Sequence, residues 1–190
     1  AMEEGMKKGS RFSIQCRIRR RNDGKWRSIE YYSKFELSAK GEHVHLIGFV
    51  ADVTERVQSE EALRKSESTL NTVIDTMPAG ILVANENGEI VRFNQASVDL
   101  WGIPPETKAW EGYKDWKGWW PETGERIKAE EWGMAKALLD GAEIKNELVQ
   151  NQKFNSEEKR YFLNNAVPLK NEKGEITGGV VAMQDITDQI

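Results

Sequence analysis

The sequence predicts an α+β protein built from two related units, and three observations carry that prediction. Lys40-Gly41-Glu42 recurs as Lys173-Gly174-Glu175, and Asp52-Val53-Thr54-Glu55 recurs as Asp185-Ile186-Thr187-Asp188, both at an offset of 133. Self-similarity of this kind marks a repeated structural unit. Around each copy, short runs alternate apolar with polar residues and are separated by turns that carry Gly, the period of half-buried strands. Between the copies, residues 57–77 hold neither Gly nor Pro, the composition of a long helix.

In the first unit, Phe12, Ile14, Cys16 and Ile18 alternate with Arg11, Ser13, Gln15, Arg17 and Arg19. Asn22-Asp23-Gly24 then closes a hairpin. The next run, Trp26 to Leu37, puts Ile29, Tyr31, Phe35 and Leu37 on one face, and Gly41 turns the chain into Val44 to Val53. Three antiparallel strands are expected. Only Met2 to Lys8 precedes them, so their apolar face has no helices of its own, and contact with a partner or a neighbouring protomer is expected there. On that face Cys16 reads as an inert buried thiol. Projected back by the offset, the start of the second unit near Gly80 falls about 53 residues before Ala1, so the first unit reads as truncated.

Asp52 with Glu55 three residues later starts the helix, and Pro78 ends it. At 1.5 Å per residue, about 23 residues span roughly 34 Å. Leu63, Leu70 and Met77 fall seven apart, with Val73 and Ile74 between them, which is the seam of a short coiled coil. The competing reading is an amphipathic linker packed on its own domains. The resulting organisation is 1–54 as the truncated unit, 55–77 as the connector and 78–190 as the complete unit.

The second unit opens with Gly80–Ala84 and Glu89–Phe93 flanking Asn87-Gly88, a strong hairpin signal. Asn94 caps a short helix carrying Val98, Leu100 and Trp101, which stops at Gly102. A Trp-rich stretch follows, with Pro104 and Pro105 placed to begin a helical turn. A longer helix is expected over about 128–140, with Trp132, Ala135, Leu138 and Leu139 inward, and three strands over 144–153, 159–169 and 175–184.

Composition narrows the function. The chain has 190 residues, 38% of them hydrophobic, 27 Lys and Arg against 31 Asp and Glu, and one cysteine. A packed core is within reach, disulfides are not, and a net charge of -4 supplies no field for nucleic acid or an anionic membrane. No apolar run approaches the ~20 residues that span a bilayer, so the fragment reads as cytoplasmic, with a membrane anchor conceivable only elsewhere in its parent. His43 and His45 are the only histidines, beside a strand turn, and the complete unit has no histidine or cysteine for a catalytic triad or metal centre. The basic run Arg17, Arg19, Arg20, Arg21, Lys25 and Arg27 with Trp26 reads as a solvated hairpin tip rather than a nucleic-acid site. Trp110, Trp116, Trp119, Trp120 and Trp132 read as core filling, with stacking on a sugar, flavin or heterocycle as the alternative.

The hairpin Gly80-Ile81-Leu82-Val83-Ala84-Asn85-Glu86-Asn87-Gly88-Glu89-Ile90, followed by Phe93-Asn94-Gln95-Ala96 and Leu100-Trp101-Gly102, resembles the opening of a PAS sensor domain. Gly178-Gly179-Val180-Val181-Ala182-Met183-Gln184-Asp185-Ile186-Thr187 resembles its C-terminal PAC motif, and residues 9–57 resemble a second PAC half. The resemblance implies a PAS fold, a five-stranded antiparallel sheet with short helices on one face enclosing a small-molecule cavity. It also implies a bacterial or archaeal signalling protein with an effector domain downstream, most often a sensor histidine kinase, and no catalysis by the fragment itself. Family cavities and inward parity together give a candidate pocket of Ile81, Val83, Phe93, Leu100, Trp101, Trp132, Leu138, Leu163, Val181 and Met183, with Asn164 and Asn165 as polar contacts.

Family cofactors are narrowed residue by residue. Cysteinyl-flavin photochemistry needs a cysteine in the helical cover, and histidine-ligated haem needs a histidine on the long helix; the sequence has neither there. Noncovalent flavin, a metabolite, an organic acid, or a structural core without ligand stay open, the last making the chain a protein–protein interaction module. Signal transmission is expected through Asp52 and Thr54 in the first copy and Asp185 and Thr187 in the second. A homodimer paired along Leu63, Leu70, Ile74 and Met77 completes the expectation.

Overall fold

Strands form where the alternation runs, and turn residues set their ends. A computed structural model of the protein describes residues 11–37 and 43–190, which divide into two units, one ending at Thr69 and the other beginning at Leu70. The side chains of Phe12, Phe35, Leu37, His43 and His45, on which some expectations fall, lie outside the described residues.

The first unit is a three-stranded antiparallel sheet of β1 (Arg11–Arg19), β2 (Trp26–Leu37) and β3 (His43–Asp52), in that order. Gly24 supplies the positive φ of 68° that the β1–β2 turn requires, and Arg20 is paired with Asp23 beside it. The register Ile14↔Tyr31, Cys16↔Ile29 and Tyr31↔Val50 puts these residues on one face with Ile18. The other face is not purely polar. It carries Trp26, Ile47 and Phe49, all exposed, with Phe49 stacked on Tyr32 at 4.8 Å. Cys16 is exposed, not buried as its alternation suggested. Alternation chooses the face of a strand, whereas burial needs a second layer over that face.

Helix α1 (Thr54–Thr76) is 23 residues long, and the boundary between the two units falls within it. Leu63, Leu70 and Val73 are exposed along it, and so is Met77 just beyond its end. Among the described residues, no helix is long and apolar enough to cross a membrane.

The second unit contains β4 (Gly80–Asn85), β5 (Ile90–Phe93), α2 (Gln95–Trp101), β6 (Gly118–Trp119), α3 (Gly133–Leu139), β7 (Ile144–Gln152), β8 (Lys159–Lys170) and β9 (Ile176–Asp185). Its sheet is antiparallel with order β5-β4-β9-β8-β7-β6, the five expected strands plus the two-residue β6 on the edge of β7. Helix α2 begins at Asn94, whose side chain accepts from the Ser97 amide, and ends at Gly102 with φ 80°. The expected helix over 128–140 is shorter: a 3₁₀ turn at Ala129–Glu131 precedes α3, and Leu139 is exposed. Pro104 and Pro105 start no helix, and the next helical turn is the 3₁₀ segment Trp110–Asp115. The helical cover and one sheet face bury a single apolar core between them.

Candidate functional site

The interior of the second unit is built around an indole. Trp101, the last residue of α2, is 1% exposed, and its ring lies 5.1 Å from Trp116, 6.0 Å from Trp132, 5.6 Å from Phe154 and 6.1 Å from Phe162. Edge and tilted geometries dominate, as aromatic quadrupoles favour. Tyr113 lies tilted against Trp116 at 4.6 Å, and its hydroxyl donates 2.8 Å to the Gly88 carbonyl. Burial pushes the Tyr113 phenol far above its ordinary pKa, which keeps it a neutral donor. The Trp132 indole N–H donates 3.1 Å to the Tyr113 carbonyl.

Polar atoms inside this core are less well served. The Trp101 indole nitrogen, both amide atoms of Asn151 and the Asn164 carbonyl oxygen are buried without a hydrogen-bond partner. Asn151 and Asn164 are 2% and 3% exposed. Asn151 lies beside Trp132, since a Cβ on Gly118 would meet the Trp132 ring at 2.4 Å and Asn151 Oδ1 at 3.2 Å. Unpaired groups at such depth are uncommon because each forfeits its hydration, and they concentrate where a water, ion or ligand is held. A surface groove of about 330 Å³ between residues 103–108 and Phe154 reaches Trp116 and Phe154, two of the rings against Trp101.

Register decides which expected residues meet there. Paired residues share a face, so Leu82↔Val181, Leu82↔Phe93, Ala166↔Val181, Asn164↔Met183 and Val149↔Phe162 place Leu82, Phe93, Phe162, Asn164, Val181 and Met183 toward the helices. Leu100, Trp101, Trp132 and Leu138 pack onto them from above. Ile81, Val83 and Leu163 do not join them. Their partners Ala182, Val180 and Gln184 lie on the opposite face, and so does Asn165, whose side chain instead accepts from the Asn146 amide. Residues the sequence reading missed are Leu82, Tyr113, Phe162 and Asn151; parity along β7 and β8 points to the last two once the register is known.

The tryptophans divide by place. Trp116 and Trp132 are buried, Trp110 and Trp120 pack partly against the core, and Trp119 and Trp120 carry Lys159 and Lys136 over their rings at 4.2 and 5.0 Å. None of these five is fully exposed, which disfavours the open stacking face that a sugar platform requires.

The Asp-x-Thr motif adopts one geometry in both copies. Asp185 Oδ1 accepts from the Thr187 amide at 2.9 Å and hydroxyl at 2.5 Å, Arg160 donates to Asp185 Oδ2 at 2.7 Å, and the Tyr161 amide donates to Thr187 Oγ1 at 3.0 Å. In the first copy, Asp52 Oδ1 accepts from the Thr54 amide at 3.0 Å and hydroxyl at 2.5 Å, Arg27 lies 3.9 Å from Asp52, and the Ser28 amide donates to Thr54 Oγ1 at 2.9 Å. Arg27, Ser28, Asp52 and Thr54 stand 133 positions before Arg160, Tyr161, Asp185 and Thr187. Burial alone would raise the Asp185 carboxyl, but the Thr187 hydroxyl and amide and the Arg160 guanidinium outweigh it and hold it below its ordinary value. Asp52 is held low by Thr54 and by the nearby Arg27 and Arg20. Each motif ties the end of the third strand to the second strand; in the first copy α1 starts at Thr54 itself.

A curled antiparallel sheet with an aromatic interior under short helices, closed by an Asp-x-Thr clasp, defines a sensory-type α+β domain. The family model of the PAS fold matches residues 74–190, and the chain belongs to that family. Hybrid signal transduction histidine kinase I of Dictyostelium discoideum is 30% identical over 95 residues, which are 50% of this chain and 5% of that protein. The chain therefore spans a small fraction of that relative's length. Among solved structures, the PAS domain of the fruit-fly ELK potassium channel is 23% identical, with a TM-score of 0.46 over 63% of this chain and 96% of that one. The PAS domain of an HTR-like protein from Haloarcula marismortui is 18% identical, with a TM-score of 0.44 over 68% and 98%.

Proposed function

We propose that this chain is the regulatory sensory segment of a multidomain signalling protein, in which the interior of the second unit binds a small planar ligand. The observation that carries the reading is the set of unpaired polar atoms on Trp101, Asn151 and Asn164 among closely packed aromatic rings, which offers donors and acceptors to a heterocycle or metabolite. A noncovalently held flavin and a smaller metabolite both suit that chemistry. On this reading residues 1–54 are the C-terminal half of a further PAS domain and residues 55–77 the connector. The duplicated clasp and the shared register support that assignment.

Occupancy shifts β9, and Asp185 and Thr187 pass the shift to whatever follows, while Asp52 and Thr54 act likewise on α1. A coupling of ~1–3 kcal/mol is enough for such a switch. The exposed Leu63, Leu70 and Met77 support pairing of α1 in a homodimer, with Ile74 on the same seam. The parent is a cytoplasmic-facing histidine kinase, its catalysis lying in an effector domain outside this segment; the Dictyostelium relative's description supports that assignment.

A second reading has its own support: Trp101, Tyr113, Trp116, Trp132 and Phe162 fill the interior with side chains, as an assembly module without ligand would. Native mass spectrometry of the purified 190-residue chain separates the two. A dimer that retains extra mass supports the sensor. A dimer of clean mass overturns ligand sensing in favour of assembly, and a clean monomer overturns both.

A further inference from the structure

Asn94 joins three elements of the second unit with one side chain, and it is buried. Its Oδ1 accepts from the Ile81 amide at 2.9 Å, the Ser97 amide at 3.0 Å and the Ser97 hydroxyl at 2.9 Å. Its Nδ2 donates to the Ile74 carbonyl on α1 and to the Ala79 carbonyl, each at 2.9 Å. Two residues before it, on β5, Arg92 is bonded to Asn71 and lies 3.5 Å from Asp75, both on α1.

Capping α2 needs only an acceptor, and Asp, Ser or Thr would serve. The amide NH₂ does something those residues cannot. The last carbonyls of a helix lack intrahelical donors, and Asn94 supplies one to α1 while its oxygen holds the start of α2. Ser97 and Trp101 are one turn apart on α2, so the helix that Asn94 caps carries the ring at the centre of the aromatic interior.

We infer that Asn94, assisted by Arg92, is a positioning residue that couples the interior around Trp101 to the last two turns of α1. The connector is thereby linked to the interior at its C-terminal end through the start of α2, by hydrogen bonds that the Asp185 clasp does not share. The inference rests on the proposed sensor only for what the coupling is used for; the coupling itself is measurable without ligand.

Hydrogen exchange on the full chain tests it with Asn94→Asp, which keeps the acceptor and removes the donor. Amides of residues 73–79 then exchange about fivefold to tenfold faster, the effect of losing one or two hydrogen bonds, while Ser97–Trp101 keep their protection. Trp101→Phe, which alters the interior, speeds exchange at 73–79 in the parent chain but adds nothing in the Asn94→Asp background, since coupled sites are non-additive. Equal loss of protection in α2 and α1, or simple additivity of the two substitutions, overturns the inference. If Asn94→Asp does not fold, Arg92→Ala reads the same segment from the surface, with an expected change of about threefold; no change there overturns the inference as well. A chain that binds no ligand yet shows the non-additivity leaves the coupling standing and removes the sensor, and the reverse result removes the coupling alone.

Discussion

Strands β1–β3 and β7–β9 repeat the same ladder under different cover, apart from a β-bulge between Ile144 and Glu147 that β1 lacks. Cys16↔Ile29 in the first corresponds to Val149↔Phe162 in the second, and Tyr31↔Val50 to Asn164↔Met183. In the second unit those four residues are buried under α2, α3 and the 3₁₀ turns. In the first, Cys16 and Val50 are exposed, and Phe49 on the other face is 64% exposed. A β-ladder fixes register and face by backbone pairing alone, whereas burial is conferred by other segments. The same sequence pattern therefore means core in one place and open surface in the other.

The largest effect that sharpens the comparison comes from truncating equivalent residues. Val149→Ala removes two methyl groups from a closed interior and is expected to cost about 2 kcal/mol, from lost transfer energy plus a cavity that cannot fully collapse. Cys16→Ala at the equivalent position leaves the stability of the chain unmoved. Urea titration followed by tryptophan fluorescence and circular dichroism measures both. A comparable loss for Cys16→Ala would mean that the first sheet is covered in solution, by a second copy of the chain, and the contrast would be broken.

Legibility follows the same division. The alternation of β1, the hairpin signals at Gly24 and Gly88, the Asn94 cap and the extent of α1 are local, and the sequence reading places all of them within a residue or two. The candidate pocket is less legible because Ile81-Leu82-Val83-Ala84 is apolar throughout. A central strand with both faces occupied shows no period from which to read its inward set. Only pairing with β9 shows that Leu82 faces the helices while Ile81, itself buried, and Val83 lie on the opposite face of the sheet. Leu163 failed for a related reason, because Leu163 and Asn164 cannot share a face, and the polar residue is the inward one. Asn151 carried no signal at all, since a polar residue in a strand reads as solvent-facing until its register is known. The two-residue β6 is too short for any periodicity.

A smaller effect tests the feature that the two units share. Thr187→Val and Thr54→Val keep side-chain shape and remove a hydroxyl that both donates to an aspartate and accepts a backbone N–H. Each substitution is expected to cost about 1 kcal/mol locally. In the second unit Thr187→Val lowers the melting temperature. In the first, Thr54→Val speeds amide exchange over the opening turn of α1, which the clasp initiates. If only one of the two substitutions has an effect, the clasps are not equivalent and the duplicated geometry is incidental.

The smallest effect is the acid dependence of that clasp. Asp185 has a folded-state pKa held below its unfolded value of about 3.9, so the unfolded chain binds its proton first as pH falls. Its contribution is fully present above about pH 4 and is lost as pH drops through the lower folded value. Asp185→Asn removes the titration: between about pH 5 and about pH 2.5 the urea midpoint of the second unit should fall less steeply than in the parent chain. Asp52 is depressed in the same direction, but Arg27 stands 3.9 Å away where Arg160 bonds Asp185 at 2.7 Å, so Asp52→Asn should flatten the profile of the first unit less. An unchanged slope for Asp185→Asn would mean that Arg160 and Thr187 hold the carboxylate no better in the folded chain than water does in the unfolded one, and the clasp would then be a turn motif with no electrostatic grip on β9.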